Sequence, residues 1–472
     1  MALVNVSSPQ KILAPPGNSL AIFVNANDLN KMYLKDDKGN IQPLSDFLPT
    51  PSGSSPYIYT NETDFSVVPA GYDCNTNNAA NAKILGGFRN CIDTLSVTST
   101  IVNGDDNVFN NAPYALIGAG VSHRMTNSET SVIGGGLNNT HQDSPASFIG
   151  AGCLNTTNQC FSFIGSGYCS TIFAPSASCE ASFIGAGVCN VVCSSYSFLG
   201  SGYQNAITED YSVVTGGCQN CNARDFSFIG AGNNNCTGSR FSVVVGGSSN
   251  CTMDQCYQFI GGGTSNITSC LGSLIVGGIG NIACGEKSEI LGGCFNTTME
   301  AFSCASGYSS CAYLYGMRSN ANGCFLNQAD NQTSEVTVWK RDNIDASATT
   351  VLFLDGISKN VQISDANRAW SVMVQWISVC VELGSGTTDG LAVGSSKIGY
   401  DSFIFKRVAG VTTISAIDNI SSTDDAGMNT ASLDYSGQSG GALKIIFTAP
   451  TTAGTGTEFR ISAKLTLKEI AW

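Results

Sequence analysis

One short hydrophobic pattern returns fifteen times between Gly87 and Gly307, most often at a period of 15 or 16 residues. Each unit closes on a glycine, and an aliphatic residue stands three places before it, with Cys304 the exception. Ile133, Ile149, Ile164, Ile184, Leu199, Val214, Ile229, Val244, Ile260, Ile275 and Ile290 are examples. Self-similarity at a fixed short period predicts a solenoid, one rung per repeat. The position before the aliphatic one is also apolar, as in Val132, Phe148, Phe163, Phe183, Phe198, Phe228 and Phe259. Neighbouring strand residues point to opposite faces, so both faces of this strand call for burial.

A rung this short supplies two brief strands and two bends. The pairs Phe148/Ile149, Phe163/Ile164, Phe183/Ile184, Phe228/Ile229 and Phe259/Ile260, with Phe198, are therefore expected to form the core and the seam of an assembly. The inward side chain fills the roll and the outward one meets another chain. Each fully buried side chain of this size contributes about 1.5 to 3 kcal/mol, so the row is costly to leave in water. A closed threefold homotrimer is the simplest solution. Fifteen rungs about 4.8 Å apart give an expected shaft of about 70 Å.

Three residues after the closing glycine stands an asparagine in twelve units: Asn90, Asn107, Asn139, Asn155, Asn190, Asn205, Asn220, Asn235, Asn250, Asn266, Asn281 and Asn296. In stacked rungs these amides line up and hydrogen-bond along the stack, a structural ladder rather than a ligand site. Asn155, Asn235, Asn250, Asn266 and Asn296 also match N-x-T, which reads as coincidence of the repeat with threonine's strand preference.

Outside the repeat the pattern changes twice. Residues 1–60 hold two strand-like runs, Ser19 to Val24 and Lys31 to Leu34, then an Asp36–Asn40 turn, a return at Ile41 to Leu44, and a Pro/Ser/Gly linker from Pro49 to Pro56. The shaft is expected over 61–323, with an outward loop at Thr171 to Ser176. From 324 to 472 the runs Val336–Lys340, Thr349–Leu354, Val361–Ser364, Trp370–Leu383, Ser402–Arg407, Val411–Ile417, Ala442–Ala449 and Thr457–Leu467 predict antiparallel strands of a jelly-roll-like β-sandwich. The expected fold class is thus all-β, a trimeric parallel β-roll or β-helix solenoid between a small N-terminal β module and a sandwich tip.

Composition narrows the function. The formal net charge is −13, and from Thr126 to Phe302 three basic residues face ten acidic ones, which excludes nucleic acid as a partner. The start lacks a basic stretch followed by an unbroken apolar core, and no run suffices to span a bilayer, so neither export by the general route nor membrane insertion is expected. Seventeen of the twenty cysteines lie between Cys153 and Cys324 at scattered offsets, apart from the stack Cys221, Cys236 and Cys251. Only Cys218 and Cys221 form a C-x-x-C, and His123 and His141 lie far from it, so no metal and no cofactor is expected. Most cysteines read as free thiols.

The rung S-[FV]-[IV]-G-x-G-x-x-N, as in Ser147 to Asn155 and Ser227 to Asn235, resembles the head repeats of trimeric autotransporter adhesins and the shafts of bacteriophage tail fibres. Tyr33 to Asn40 and the runs around Ala369–Val372 and Gly440–Ile445 look like phage attachment and tip modules. The phage resemblance implies a homotrimeric virion-surface fibre made in the host cytoplasm. Its N-terminus docks on a tail or virion attachment protein, and its C-terminal tip contacts a host-surface glycan or protein. The expected function is non-enzymatic adhesion. Loops at Gly384–Asp389, Lys397–Asp401 and Ser421–Asn429 are candidates for the contact, with Tyr400 and Asp401 the receptor-binding residues named.

Two alternatives stand beside it. One is a purely structural spacer; the other is a tailspike-type polysaccharide depolymerase. Glycan hydrolysis needs two facing carboxylates about 5 to 9.5 Å apart. The shaft acids, among them Glu129, Asp143, Glu209, Asp210, Asp225, Asp254, Glu286 and Glu289, are not expected to recur as such a pair, and no catalytic residue is nominated.

Overall fold

The computed structural model describes residues 75–173, 181–324, 328, 331–362, 368–388, 390–415, 417–438 and 441–471, with the backbone of four N-terminal strands. Every described regular element is a β-strand, and no described helix is long and apolar enough to cross a membrane. The chain divides into two compact units, Met1–Tyr196 and Ser197–Trp472.

In the first unit the strand Val4–Val6 pairs parallel with Ala21–Asn25, which pairs antiparallel with Lys31–Lys35, and that strand with Ile41–Pro43. The expected turn at Asp36–Asn40 and linker at Pro49–Pro56 lie outside the described residues. The rungs that follow each contribute two short strands to two parallel sheets. Leu116–Ile117, Val132–Ile133, Phe148–Ile149, Phe163–Ile164 and Phe183–Ile184 stack in register in an aliphatic sheet. Arg124–Thr126, Thr140–Gln142, Thr156–Asn158 and Thr171–Phe173 stack in a polar one. Ile117, Ile133, Ile149, Ile164 and Ile184 are fully buried, facing Met125, His141, Thr157 and Ile172 across a thin core. Thr171–Phe173 is therefore a rung strand rather than the beginning of an outward loop. The rest of that loop lies outside the described residues.

The second unit continues the motif from Phe198–Leu199 to Cys304–Tyr308. Here one side of the core is mostly polar. Leu199, Val214, Ile229, Val244, Ile260, Ile275 and Ile290 face Ile207, Asn222, Thr237, Thr252, Thr268, Ala283 and Thr298, all of them buried. A rung with one aliphatic and one threonine inside gains little from its own core. The last rung is one residue short: Ile290 pairs with Ala305, not Cys304, so Ala305 is the inward residue. That explains why Cys304 broke the aliphatic rule.

The closing glycine is dictated by stacking. Gly152 has φ +105°, and a Cβ there would lie 2.1 Å from the Gly167 carbonyl oxygen of the next rung. Only glycine fits such an approach. The asparagines then tie rung to rung. Asn220 is fully buried and bonds within the stack: its backbone N–H donates to Asn205 Oδ1 at 3.0 Å, its Nδ2 donates to Gly216 O at 2.9 Å and Gly232 O at 3.0 Å, and its Oδ1 accepts from Asn235 N at 3.0 Å. Where the sequence lacks asparagine, other residues fill the position. His123 N donates to Asn107 Oδ1 at 3.0 Å and His123 Nδ1 accepts from Asn139 N at 3.1 Å. Ser170 N and Ser310 N donate to Asn155 Oδ1 and Asn296 Oδ1.

The interior histidines make the first unit acid-sensitive. Burial is the main force holding the His141 imidazole down to about 4, with the neighbouring His123 adding to it against the Val132 carbonyl bond. An unfolded histidine takes up its proton near pH 6.5. The stability due to His141 is therefore complete above about pH 6.5 and is lost as the pH falls toward 4, amounting to about 3 kcal/mol. Thermal unfolding between pH 7 and 4.5 should show this slope, and His141→Gln should flatten it. An unchanged slope in that variant contradicts the assignment.

After the rungs, three long strands lie side by side: Asn331–Asn343, Glu458–Ala471 and Arg368–Glu382, extended by Ser396–Val408. A smaller antiparallel sheet of Thr349–Leu352, Ala442–Thr448, Val361–Gln362 and Ser432–Gly437 accompanies them. Phe447 of the smaller sheet meets Phe459 of the larger at 5.7 Å between ring centroids, and Trp370, Phe405 and Phe447 are fully buried. Two strands were not expected, Asp418–Asp424 and Ser432–Gly437. The first takes in the beginning of the presumed loop Ser421–Asn429, and Lys397–Asp401 lies within the strand Ser396–Val408.

This domain caps the end of the solenoid chemically. Gln332 imitates a further rung: its Oε1 accepts from Cys311 N at 2.8 Å and its Nε2 donates to Cys311 O at 2.9 Å. The same Nε2 lies 3.0 Å from Glu469 Oε2, and the Tyr313 hydroxyl donates to the same carboxylate at 2.9 and 3.0 Å. Arg368 pairs with Glu469, which is 1% exposed. Burial first, then the adjoining Glu469 carboxylate, pushes the Tyr313 phenol well above its ordinary range.

Candidate functional site

Each rung turns two corners with a left-handed residue, and the two corners differ in chemistry. One carries Gln204, Gln219, Asn234 and Ser249, with φ between 53° and 57°. The other carries Tyr211, Phe226, Phe241 and Tyr257, with φ between 53° and 62°. Bulky side chains are disfavoured at positive φ, where Asn and Gly are the easy choices. Asn234 at the polar corner shows that such a choice is open to this fold. The aromatic side chains are therefore present for what they touch.

They form an unbroken stack. Ring centroids lie 4.9 Å apart for Tyr211–Phe226, 5.0 Å for Phe226–Phe241 and 5.2 Å for Phe241–Tyr257, with planes within 11° of parallel. All four are exposed, Tyr257 to 62%. The backbone is the cause of the spacing: Phe226 N donates to Asp210 O, Phe241 N to Asp225 O and Tyr257 N to Arg240 O.

Those same bonds line up the residue before each aromatic. Asp210, Asp225 and Arg240 thus occupy one offset in consecutive rungs of the second unit, contrary to the expectation that no acids recur at equivalent offsets. In-register neighbours stand about 4.8 Å apart, close to the separation of about 5 to 5.5 Å between the carboxyl groups of retaining glycosidases. Arg240 Nη2 pairs with Asp225 Oδ2 at 2.5 Å, and the Asp225 side chain keeps 16% of its surface in solvent. Glu209 and Arg224 flank the row, both exposed. The signal was present in the sequence as D-Y-S-V and D-F-S-F one period apart.

The aliphatic sheet shows a second exposed apolar surface. Phe148, Phe163, Phe198 and Phe259 point outward, 36 to 41% exposed, while their partners Ile149, Ile164, Leu199 and Ile260 are fully buried. Phe183, Phe228, Ile184 and Ile229 divide in the same sense. Every one of these six phenylalanines is followed two residues later by glycine, whereas Val213, Val243 and Leu274 are followed by Thr215, Val245 and Val276. A Cβ on Gly150, Gly165, Gly200, Gly230 or Gly261 would meet the preceding phenylalanine ring at 3.2 to 3.4 Å. From Phe148 to Leu274 large stands beside none and medium beside medium, which keeps the outward volume of these rungs similar; Leu116 with Gly118 and Val132 with Gly134 fall outside the pattern. Close-packed surfaces require that; solvated ones do not.

The cysteines contribute no metal centre among the described residues. Seventeen described cysteines carry thiols and Cys160 is disulfide-bonded. Cys221, Cys236 and Cys251 do stack in register on the polar sheet. Their mutual hydrogen bonding, together with burial, drives Cys221 up and leaves Cys236 at about 11. Of the two residues named for receptor contact, Tyr400 is exposed, but Asp401 is 3% exposed. Its Oδ2 accepts from the Tyr435 hydroxyl at 2.6 Å and from Trp376 Nε1 at 3.2 Å, so it serves the sandwich core and is removed from the candidate contacts.

No protein-family model matches the chain, and no curated protein matches it in sequence. Among solved structures it is similar to the tailspike protein of Acinetobacter phage vB_ApiP_P1, at 10% identity over 100% of both chains and a TM-score of 0.26. It is also similar to the tailspike protein gp49 of Acinetobacter baumannii bacteriophage Fri1, a capsular polysaccharide depolymerase, at 10% identity over 99% of this chain and 100% of that one, TM-score 0.21. A third is Pantoea stewartii WceF, a glycan biofilm modifying enzyme with a tailspike-like parallel β-helix, at 8% identity over 99% of this chain and 72% of that one, TM-score 0.20. The chain itself is all-β among its described residues, a parallel β-solenoid followed by an antiparallel sheet region. The expectation of a non-enzymatic protein is corrected here, because the structures it resembles include proteins described as a depolymerase and a glycan-modifying enzyme.

Proposed function

We propose that the chain is a viral tailspike-type fibre protein that cleaves polysaccharide on the host surface. The observation that carries this reading is the row Asp210, Asp225, Arg240 aligned beside the exposed aromatic stack from Tyr211 to Tyr257. The stack offers an apolar border with a repeat of about 5 Å, close to the length of one sugar unit in an extended chain. The aligned acids offer two carboxyl groups beside it. Asp210 gives its proton to the departing glycosidic oxygen, while Asp225, ion-paired with Arg240, attacks the anomeric carbon as a carboxylate. Water then cleaves the glycosyl ester, and its proton returns to Asp210.

The exposed phenylalanines of the aliphatic sheet and the similar outward volume of the rungs from Phe148 to Leu274 support self-association, as a homotrimer in which copies cover one another's phenylalanine rows. The N-terminal strands serve as the virion attachment module in this reading. A panel of bacterial capsular and exopolysaccharides tests the activity: the purified protein should release new reducing ends from at least one of them. Intact chains across the whole panel, with the protein folded, contradict the proposal.

A further inference from the structure

The outward face of the large C-terminal sheet carries an unassigned hollow of about 350 Å³. Strand register defines its floor as two rows of three residues. Arg341 lies opposite Arg460 and Arg460 opposite Val379; one step along, Trp339 lies opposite Ser462 and Ser462 opposite Ile377. The small Ser462 between Trp339 and Ile377 makes the hollow.

The charges are unbalanced within it. Like charges set directly opposite on a sheet are destabilising, yet Arg341 and Arg460 are so placed. Arg341 is taken up by Glu458, with Nε–Oε1 at 2.6 Å and Nη2–Oε2 at 3.1 Å. The Arg460 guanidinium forms no hydrogen bond or ion pair with any described residue, although the Glu458 carboxylate, which feels its charge, and that of Glu382 lie on the same side of the sheet, beyond Arg341. Lys340 does not add to the site, since its ammonium turns to the Phe353 ring.

Trp339 is the other asset. It is 46% exposed, and its ring is propped against Gly356, where a Cβ would fall 2.5 Å from it. An exposed indole fixed from behind, next to an uncommitted guanidinium and a serine hydroxyl, has the chemistry to take a carbohydrate ring that bears a carboxylate. The indole covers the apolar face of the sugar, the guanidinium grips the carboxylate through two parallel hydrogen bonds, and the hollow is at the small end of ligand pockets.

We propose that this hollow binds an acidic sugar unit, with Arg460 taking its carboxylate and Trp339 its ring. The inference deepens the polysaccharide reading above and rests on it for the choice of sugars over other carboxylates. It also gives the C-terminal domain a recognition role separate from the aromatic ladder.

Tryptophan fluorescence of the full chain tests it, because among the described tryptophans Trp370 and Trp376 are buried and Trp339 is not, and the Trp339→Phe variant reads what Trp472 contributes. Titration with D-glucuronate and with N-acetylneuraminate should perturb the emission saturably for at least one of them, and D-glucose should not. Arg460→Gln should weaken that binding at least tenfold, and Trp339→Phe should abolish most of the signal while retaining part of the affinity, measured by calorimetry. Equal response to acetate means an anion site without sugar recognition and overturns the proposal, as do wild-type affinity in Arg460→Gln and silence with both acidic sugars. A change in sedimentation of Arg460→Gln without sugar binding assigns the face to a second copy instead, and equally overturns it. Polysaccharide cleavage measured on the same Arg460→Gln protein keeps the two readings apart: cleavage with no acidic-sugar binding sinks this inference alone, and binding with no cleavage by the wild type sinks the enzymatic reading alone.

Discussion

Asp210→Asn and Asp225→Asn should each lower polysaccharide cleavage at least about a thousandfold while leaving polymer binding and thermal unfolding nearly unchanged. Both acids sit at turn positions next to exposed aromatics, so neither substitution disturbs the buried ladder. The two variants should also differ in kind. Loss of the Asp225 carboxylate removes the attacking group and leaves Arg240 without its partner, whereas loss of the Asp210 acid is felt most with poor leaving groups. Activated aryl glycosides should thus rescue Asp210→Asn more than Asp225→Asn. Arg240→Gln, which keeps both carboxylates, should give an intermediate loss. Reducing-end release by the three variants checks the set, and full activity in either Asp variant removes the assigned pair.

Glu469→Ala should cost about 3 to 5 kcal/mol, the largest expected loss of stability from a single substitution in this chain. The reason is that one buried carboxylate is shared by Arg368, Tyr313 and Gln332, and Gln332 in turn closes the last rung through Cys311. Removing it strips the partner from a desolvated guanidinium and loosens the cap over the solenoid end. Glu469→Gln retains an acceptor and should lose less. Chemical denaturation of the two variants measures this; a loss below about 1 kcal/mol for the alanine variant contradicts the cap.

The repeat was legible because stacking forces the same solution on every rung. A closing glycine with no room for a Cβ and an amide that must bond both ways along the stack leave a periodic trace in the sequence. His123, Ser170 and Ser310 were not legible as ladder members, because donating to the preceding asparagine takes only a backbone N–H, and of the three only the His123 ring accepts from the next rung. The aromatic corner was missed for a different reason. Sequence patterning expects Gly or Asn at left-handed turns, so Tyr211, Phe226, Phe241 and Tyr257 read as ordinary flanking residues until their φ values set them apart. With the corner unseen, Asp210 and Asp225 looked like scattered solvated acids. In the C-terminal domain, Asp418–Asp424 reads DNISSTD and carries no apolar alternation, since this strand lies at the side of the sheet next to Ser396–Val408. Asp401 was misjudged because a bulge between Tyr400 and Asp401 hides a buried acid behind a loop-like composition.

All of this depends on a solenoid too thin to satisfy itself. Five of the fourteen inward positions of the second unit are polar, while the phenylalanines of the aliphatic sheet face outward, at similar volume per rung from Phe148 to Leu274. Both facts are accounted for when copies of the chain cover one another. Sedimentation equilibrium of the purified full chain tests this most directly. Three copies of 49.1 kDa make a particle of about 147 kDa, the mass expected at every concentration examined. A single species of 49.1 kDa, folded and soluble with its phenylalanine rows in water, contradicts the account.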